Sequence, residues 1–311
     1  MTLEVRDLAI TLGAVSVVEG VSFSVPAGRT LGLVGESGAG KSLTSMSIPG
    51  LLPPEAKARG SIRLMGRELI GLSNAGLLRV RGRQIGVVFQ EPRQSFNPAF
   101  TVGEQIAETL RWHESLGRRA AHARAVELLG EVGIDRPAER ANGYPHTFSG
   151  GMLQRAMIAM AIACRPALLI ADEPTSALDV TVQAQILKLL RSLQKSLGMA
   201  MLFVSHDMGT VAQVCDEVAV MYAGQIVEHS DALALFSRPR HPYTEGLLRS
   251  VPDVRARGGE LYSIAGAMPL PGKHPAGCRF ADRCPYAIDA CRAAPDAQCI
   301  RDELALAGVL R

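Results

Sequence analysis

Gly35-Glu36-Ser37-Gly38-Ala39-Gly40-Lys41-Ser42 decides how this chain is read. The octad fits the pattern G-x-x-x-x-G-K-S and follows Thr30-Leu31-Gly32-Leu33-Val34, a short apolar run behind the Pro26-Ala27-Gly28 turn that reads as a buried strand. A strand that breaks into a glycine-rich loop and then a helix is a phosphate cradle. The backbone of Gly35, Ser37, Gly38, Ala39 and Gly40 can curl so that successive N–H groups face an anion. Lys41 then reaches the outer phosphates, Ser42 offers its hydroxyl to Mg²⁺, and the helix dipole favours the negative charge. Pro49 ends that helix early, near Ile48.

A second element completes the first. Ala167-Leu168-Leu169-Ile170-Ala171-Asp172-Glu173 is an apolar strand that ends in two acids. Asp172 is placed to hold Mg²⁺ as the Walker-B Asp does, and Glu173 to orient or deprotonate an attacking water. Gln90 ends the Ile85–Phe89 run, His206 follows the Met201–Val204 run, and Asp179 sits in the turn after Glu173. In an open α/β sheet, ligands bind at the carboxyl ends of strands, so these three are candidate sensors of a γ-phosphate. Phe148-Ser149-Gly150-Gly151-Met152-Leu153-Gln154-Arg155 is a glycine turn opening an apolar helix, a second positive N-terminus able to meet an anion. With one phosphate loop per chain, a second cradle implies that it serves a partner's nucleotide.

Further out, the first thirty or so residues alternate as strands and carry an antiparallel flavour. Thr101 to Gly133 and Gly151 to Cys164 have helical period. Val182, Ile186, Leu189, Leu190, Leu193 and Leu197 mark the inner face of one helix between the buried runs Ala167–Ala171 and Ala200–Val204, and Glu217–Met221 is a further buried strand. Strands alternating with helices predict a parallel α/β core, with a β-rich front and a helical insert at about 92–165. After about Leu235 the chain turns to Pro, Gly and Arg with weak periodicity, which places a boundary there: 1–235 as the main domain and 236–311 as an extension.

Composition excludes other classes. The chain has 311 residues, 47% hydrophobic and 20% charged, which removes disordered and fibrous classes. A net charge of +3 gives no reason to expect nucleic acid. Mean hydropathy is +0.14, yet the most apolar stretch, 156–171, is broken by Arg165 and Pro166, so no membrane span is expected. Met1 to Gly13 carries Glu4, Arg6 and Asp7, unlike a signal peptide, and the expected location is the cytoplasm. Cys164 and Cys215 sit in apolar segments as core residues. Cys278, Cys284, Cys291 and Cys299 crowd the tail with gaps of five, six and seven residues. Those gaps are wide for structural zinc, whereas thiolate ligation of an iron–sulfur cluster tolerates varied spacing; zinc and unligated thiols are the alternatives. A small tail with weak periodicity would gain from a metal staple.

In their order, the phosphate loop, Gln90, Ser149-Gly150-Gly151, Asp172-Glu173, Ser176-Ala177-Leu178-Asp179 and Ser205-His206-Asp207 resemble the ATP-binding subunits of ABC transporters over residues 1–235. The resemblance implies an ABC ATPase fold: a mixed sheet core, an antiparallel β subdomain and a helical subdomain, here followed by a small Cys-rich extension. It implies ATP and Mg²⁺ handled by Lys41, Ser42, Gln90 and Asp172, with Glu173 as base and His206 on the γ-phosphate. It further implies a head-to-tail dimer in which Ser149, Gly150 and Gly151 act in trans, and contact with membrane subunits after Gln90. Phe89-Gln90-Glu91-Pro92, Ser95-Phe96-Asn97-Pro98, Tyr144-Pro145-His146 and His241-Pro242-Tyr243-Thr244 look like the oligopeptide/dipeptide importer group, in its D type, which pairs with an F-type ATPase. Expected partners are therefore that second ATPase, two transmembrane permeases and, through them, an extracytoplasmic peptide-binding protein, at the cytoplasmic face of the membrane. Related importers of this group carry the same Cys tail, held in some to bind a [4Fe–4S] cluster. An importer for nickel or another solute, and a soluble non-transport ABC ATPase, are the competing readings. Two departures stand out. Phe148 and Met152 replace the ends of Leu-Ser-Gly-Gly-Gln, and the aligned Ile10-Thr11-Leu12-Gly13 lacks the aromatic residue on which the family stacks adenine, leaving Leu12 as the nearest counterpart.

Overall fold

A computed structural model describes residues 1–176, 178–251 and 262–293; Ala177 and Cys299 lie outside the described residues. The chain opens with β1 (Leu3–Leu12) and β2 (Val15–Val25), a hairpin whose inward residues Leu3, Val5, Leu8, Ile10, Val21 and Phe23 are buried. Then come β3 (Thr30–Val34), buried along its whole length, and α1 (Lys41–Ser47), whose C-cap Ile48 immediately precedes Pro49, as the sequence requires. Next are β4 (Ala56–Leu64), β5 (Arg67–Glu68), α2 (Asn74–Leu78) and β6 (Ile85–Val88). The helical stretch follows as α3 (Pro92–Ser95), α4 (Val102–Glu114), α5 (Arg118–Glu131), α6 (Pro137–Arg140) and α7 (Gly150–Ile162).

The second half returns to alternation: β7 (Leu168–Asp172), α8 (Val180–Leu197), β8 (Ala200–Ser205), α9 (Met208–Val214), β9 (Glu217–Tyr222) and β10 (Gln225–Asp231). Three short helices complete the described residues: α10 (Ala232–Ser237), α11 (Pro242–Arg249) and α12 (Asp289–Ala293).

Two sheets result. One is antiparallel, ordered β2-β1-β4-β5; the other has six strands ordered β10-β9-β3-β8-β7-β6, parallel except for β10 at its edge. The six-stranded sheet is the middle layer. Leu31, Leu33, Leu168, Ile170, Leu202 and Val204 pack toward the antiparallel sheet, and Val34, Leu169, Ala171, Met201 and Phe203 pack toward the helices. A strand covered on both faces reads as a continuous apolar run rather than an alternating one, which is why β3, β7 and β8 were legible. On α8, Ile186, Leu190 and Leu193 face the core; each such burial contributes about 1.5–3 kcal/mol over exposure.

Three features differ from the sequence expectation. The helical period from Thr101 is interrupted at Ser115, which adopts φ 55°, so α4 and α5 are separate helices. β10 has a polar face and was not anticipated; a tight turn through Ala223 (φ 45°) and Gly224 (φ 85°) folds it back on β9. The extension also fills part of the main core, which its weak periodicity did not mark: Tyr243 and Phe280 are buried with residues of the parallel sheet.

In the six-stranded sheet, β3 lies between β8 and β9, and each of these strands is continued by a loop at its carboxyl end. That is the topological position at which such sheets bind ligands. No helix among the described residues is long and apolar enough to cross a membrane.

Candidate active site

The loop from Gly35 to Gly40 leaves β3 and enters α1. Gly38 (φ 83°) and Gly40 (φ 100°) hold left-handed backbone that side chains disfavour, and Gly40 is the N-cap of α1 with no side-chain cap. The helix N-terminus is thereby left with N–H groups to offer an anion. Lys41 is buried and folds its ammonium back over the loop, donating to the carbonyls of Gly35 (2.8 Å) and Glu36 (2.9 Å). Burial pushes this ammonium below its ordinary pKa, while the carboxylates of Glu173, Asp172 and Glu36 pull it back up. A desolvated ammonium facing acids is poised to exchange them for phosphate oxygens.

Asp172 ends β7 and is buried, with its Oδ1 3.4 Å from the Ser42 hydroxyl. Burial raises its carboxyl above the usual range; the Ser42 hydrogen bond opposes this and the nearby Glu173 charge adds to it. An alcohol and a buried carboxylate converging beside a second carboxylate form an all-oxygen donor set that suits Mg²⁺.

Glu173, one residue beyond the strand, holds φ 46°, an uncommon conformation for a non-glycine residue. Its N–H is fixed by the Val204 carbonyl (2.9 Å). Its carboxylate bridges two strand ends: Oε2 accepts from Gln90 Nε2 (3.1 Å) and Oε1 lies 3.0 Å from His206 Nδ1. Gln90 follows β6 and His206 follows β8, so three loops at one sheet edge converge on a single carboxylate. Strained backbone of this kind persists where the surroundings over-determine it.

Lys41, Ser42, Gln90, Glu173 and His206 line one open cleft of about 720 Å³, together with Gly35, Ser37, Gly38 and Gly40 of the loop. Ala39 is buried beneath the loop. The Ser149–Gly151 turn is not part of this cleft. Ser149 is exposed and caps α7, its Oγ accepting the Met152 N–H (3.3 Å), and Gly150 faces a separate groove. Asp179 also stands outside the cleft; its carboxylate accepts the Val182 N–H (3.0 Å) and caps α8. Leu12 does not line the cleft either. Its apolar lining comes from Val17 of β2 and Leu43 of α1, with Leu247 and Pro271 of the extension, a contribution of the extension that no sequence signal marked.

The tail cysteines are only partly drawn together. The Cys278 N–H donates to the Cys291 carbonyl (2.7 Å). Burial raises the Cys278 thiol, and the N–H groups of Phe280 and Ala281 aimed at it oppose that rise. Among the described residues no group of three or more His, Cys, Asp or Glu side chains could hold a metal ion. Cys278, Cys284 and Cys291 therefore do not form a metal site by themselves, and Cys299, the expected fourth ligand, lies outside the described residues. Cys164 and Cys215 are buried enough that both thiols are raised, Cys164 up to about 11.

Comparison with known proteins identifies the family. The family model described as "ABC transporter" matches residues 18–176, and that described as "Oligopeptide/dipeptide transporter, C-terminal region" matches residues 227–291. The oligopeptide transport ATP-binding protein OppD of Bacillus subtilis is 51% identical over 293 residues, covering 92% of this chain and 82% of that protein. AppD of the same organism, also an oligopeptide transport ATP-binding protein, is 48% identical over 88% of this chain and 84% of its own length. Among solved structures, cbiO1 of Clostridium perfringens, part of the ABC transporter complex cbiONQ, superposes with a TM-score of 0.67 at 26% identity, over 76% of this chain and 91% of that one. The dimeric ATP-binding cassette MJ0796 bound to ADP and Pi superposes at 0.66 and 24% identity, over 74% of this chain and 98% of its own; that likeness bears on the fold alone.

Proposed function

From the premise that this chain belongs to the ATP-binding subunits of ABC transporters, in the oligopeptide/dipeptide group, we propose that it binds and hydrolyses ATP to power import of peptides through a pair of membrane permeases. One observation carries the catalytic part: a single carboxylate, Glu173, is held by Gln90 and His206 at the mouth of the cleft that ends in Lys41 and Ser42.

The chemistry follows from placement. The loop N–H groups and Lys41 bind and orient the β- and γ-phosphates. Glu173 accepts a proton from water or aligns it, with His206 fixing the carboxylate's direction and contacting the γ-phosphate. Ser42 and Asp172 would hold Mg²⁺, which when bound neutralises charge on the phosphates. Gln90 links this centre to the α3 segment, so a change at the phosphate is felt where the chain is proposed to meet the permeases.

The proposed assembly pairs this chain with a second, F-type ATPase. Ser149, Gly150 and Gly151 then face the partner's nucleotide; the exposure of Ser149 and the absence of all three residues from the cleft's lining favour this reading. An extracytoplasmic peptide-binding protein would deliver cargo, and the chain would sit on the cytoplasmic face of the membrane. We place the domain limit near residue 235, with the helical subdomain at about 92–165. For the tail, the all-thiolate set Cys278, Cys284, Cys291 and Cys299 supports a [4Fe–4S] cluster, with zinc as the alternative. Iron, sulfide and zinc analysis of anaerobically purified protein decides among the two metals and free thiols.

The transport reading is tested in vesicles carrying the assembled importer. Peptide uptake should require ATP and be lost on Lys41→Ala. Uptake of nickel in place of peptide would keep the ATPase and move the cargo.

A further inference from the structure

The extension reaches the phosphate loop itself. Glu36, the second residue of the loop, is gripped by Arg283: Nη1 donates to Oε2 (2.8 Å) and Nη2 to Oε1 (3.0 Å), a bidentate pair. The Arg283 side chain is only 6% exposed, and its Nε donates to the Ala265 carbonyl (2.9 Å). The Glu36 N–H donates to the Tyr243 hydroxyl (2.8 Å), and Tyr243 is fully buried on α11. Tyr243 packs edge-on against Tyr222 of β9 (4.6 Å between centroids) and lies 5.4 Å from Phe280, so its hydroxyl has little freedom. A Cβ placed on Gly38 would lie 3.1 Å from Met268 Cε, so the extension also runs over the loop's crown. Leu247 and Pro271 reach the cleft opposite Val17.

We propose that the C-terminal extension is part of the nucleotide site, with Arg283 and Tyr243 as positioning residues that hold the phosphate loop and Leu247 and Pro271, with Val17, as an aliphatic wall for a purine base. This rests on the reading that Gly35–Ser42 binds a nucleotide, and goes beyond it in assigning residues outside the ABC core to affinity and base recognition. Two physical arguments support it. A bidentate, nearly buried ion pair has strict geometry, so it fixes the Glu36 backbone whose carbonyl also receives Lys41. A base in this cleft has no aromatic face on β1 to stack on, and the apolar surface available to it is aliphatic, from Val17 and Leu43 of the ABC core and from Leu247 and Pro271 of the extension.

The two roles separate by ligand. Binding of MgATP and of magnesium tripolyphosphate, which lacks a base, is measured calorimetrically on the full chain. If loss of the grip leaves the loop in its phosphate-ready shape a tenth of the time, Arg283→Ala weakens both ligands about tenfold. Arg283→Lys should recover part of this, and adding Glu36→Gln to Arg283→Ala should cost little more. Leu247→Ser should weaken MgATP several-fold and leave tripolyphosphate unchanged. If Arg283→Ala does not fold, Tyr243→Phe, which removes one hydroxyl from a filled core, carries the loop arm and should weaken both ligands. Variants that bind both ligands as the parent does overturn the proposal and leave the ATPase reading intact. A parent chain that binds neither ligand overturns both.

Discussion

Replacing Glu173 with Gln removes one charge and almost nothing else. The carboxylate accepts from Gln90 at 3.1 Å and meets His206 Nδ1 at 3.0 Å; an amide oxygen can accept from Gln90 and the amide NH₂ can donate to a neutral imidazole. Position 173 keeps φ 46°, which Gln tolerates no better and no worse than Glu, so the fold should move by no more than about 0.5 kcal/mol. Electrostatically, Glu173 helps raise the Asp172 carboxyl and is the leading charge pulling Lys41 upward. Its neutralisation takes a negative charge away from the position of a γ-phosphate, so MgATP should bind as well as before or more tightly. Turnover is another matter: losing a general base costs about 10²- to 10⁴-fold, or about 2.7–5.4 kcal/mol at 1.36 kcal/mol per decade. Calorimetric MgATP binding and phosphate release from the assembled complex measure the two halves. Equal hydrolysis by variant and parent would refute the assignment of Glu173, and weakened binding would refute the electrostatic argument.

Other outcomes follow from the same coordinates. Gly35→Ala puts a Cβ 2.2 Å from the Met221 carbonyl oxygen at φ 153°, and should destabilise the free protein by roughly 1–3 kcal/mol or more; an unchanged melting temperature would contradict the geometry. Ser149→Arg lies outside the cleft that holds Lys41, so it should leave MgATP binding to the isolated chain within about twofold while lowering turnover of the assembled complex. The Cys164 thiol, pushed up to about 11 mainly by burial, loses its proton in the unfolded chain first. Stability should therefore fall as pH rises from the ordinary cysteine value toward 11, and a Cys164→Ala variant should show a shallower slope in melts across this range, the remainder coming from Cys215, whose thiol burial also raises. Glu19 runs the other way: a Ser16 hydrogen bond and the Arg279 charge hold its carboxyl low against the opposing cost of burial. Its stabilisation is present above the ordinary carboxylate value and disappears as pH falls through the depressed one, and Arg279→Ala should reduce this acid dependence, the Ser16 hydrogen bond retaining part of it.

The parts of the fold that could be read from the residues alone share a physical cause. β3, β7 and β8 are buried on both faces and advertise themselves as apolar runs, and the phosphate loop advertises itself because only glycine accepts its dihedrals. Residues whose role depends on meeting a distant partner left no local trace. Arg283 is one of many arginines until it is seen 247 positions from Glu36, with both guanidinium nitrogens on one carboxylate. β10 was hidden because an edge strand with a polar face has no continuous apolar signature. Asp179 is a candidate γ-phosphate sensor by its nearness in sequence to Glu173, and an Asp three residues ahead of an apolar helical period is also a helix cap, a role the structure shows. Leu12 was chosen by alignment to a missing aromatic; the cleft takes its β-subdomain contact from Val17 in the next strand instead.

The proposed two-subunit mechanism and the proposed role of the extension bear on one another. A cleft of about 720 Å³ that opens widely to solvent gives a nucleotide one phosphate-binding floor and little else from this chain's ABC core. In the proposed assembly, closure over the phosphates comes from outside, and the turn at exposed Ser149, which does not line the chain's own cleft, is the surface suited to supply it to a mate. Closure over the base needs no mate, because the extension already brings Leu247 and Pro271 to the cleft and anchors itself on Glu36. The same anchoring, together with Arg279 bound to Glu19 of β2 and to the Ala223 carbonyl, ties the tail to the β-subdomain on one side and to the sheet on the other. The tail is thus held both by core packing of Tyr243 and Phe280 and by ion pairs to the elements that shape the nucleotide site, so an event that breaks the Arg283 pair should also loosen the loop that binds phosphate.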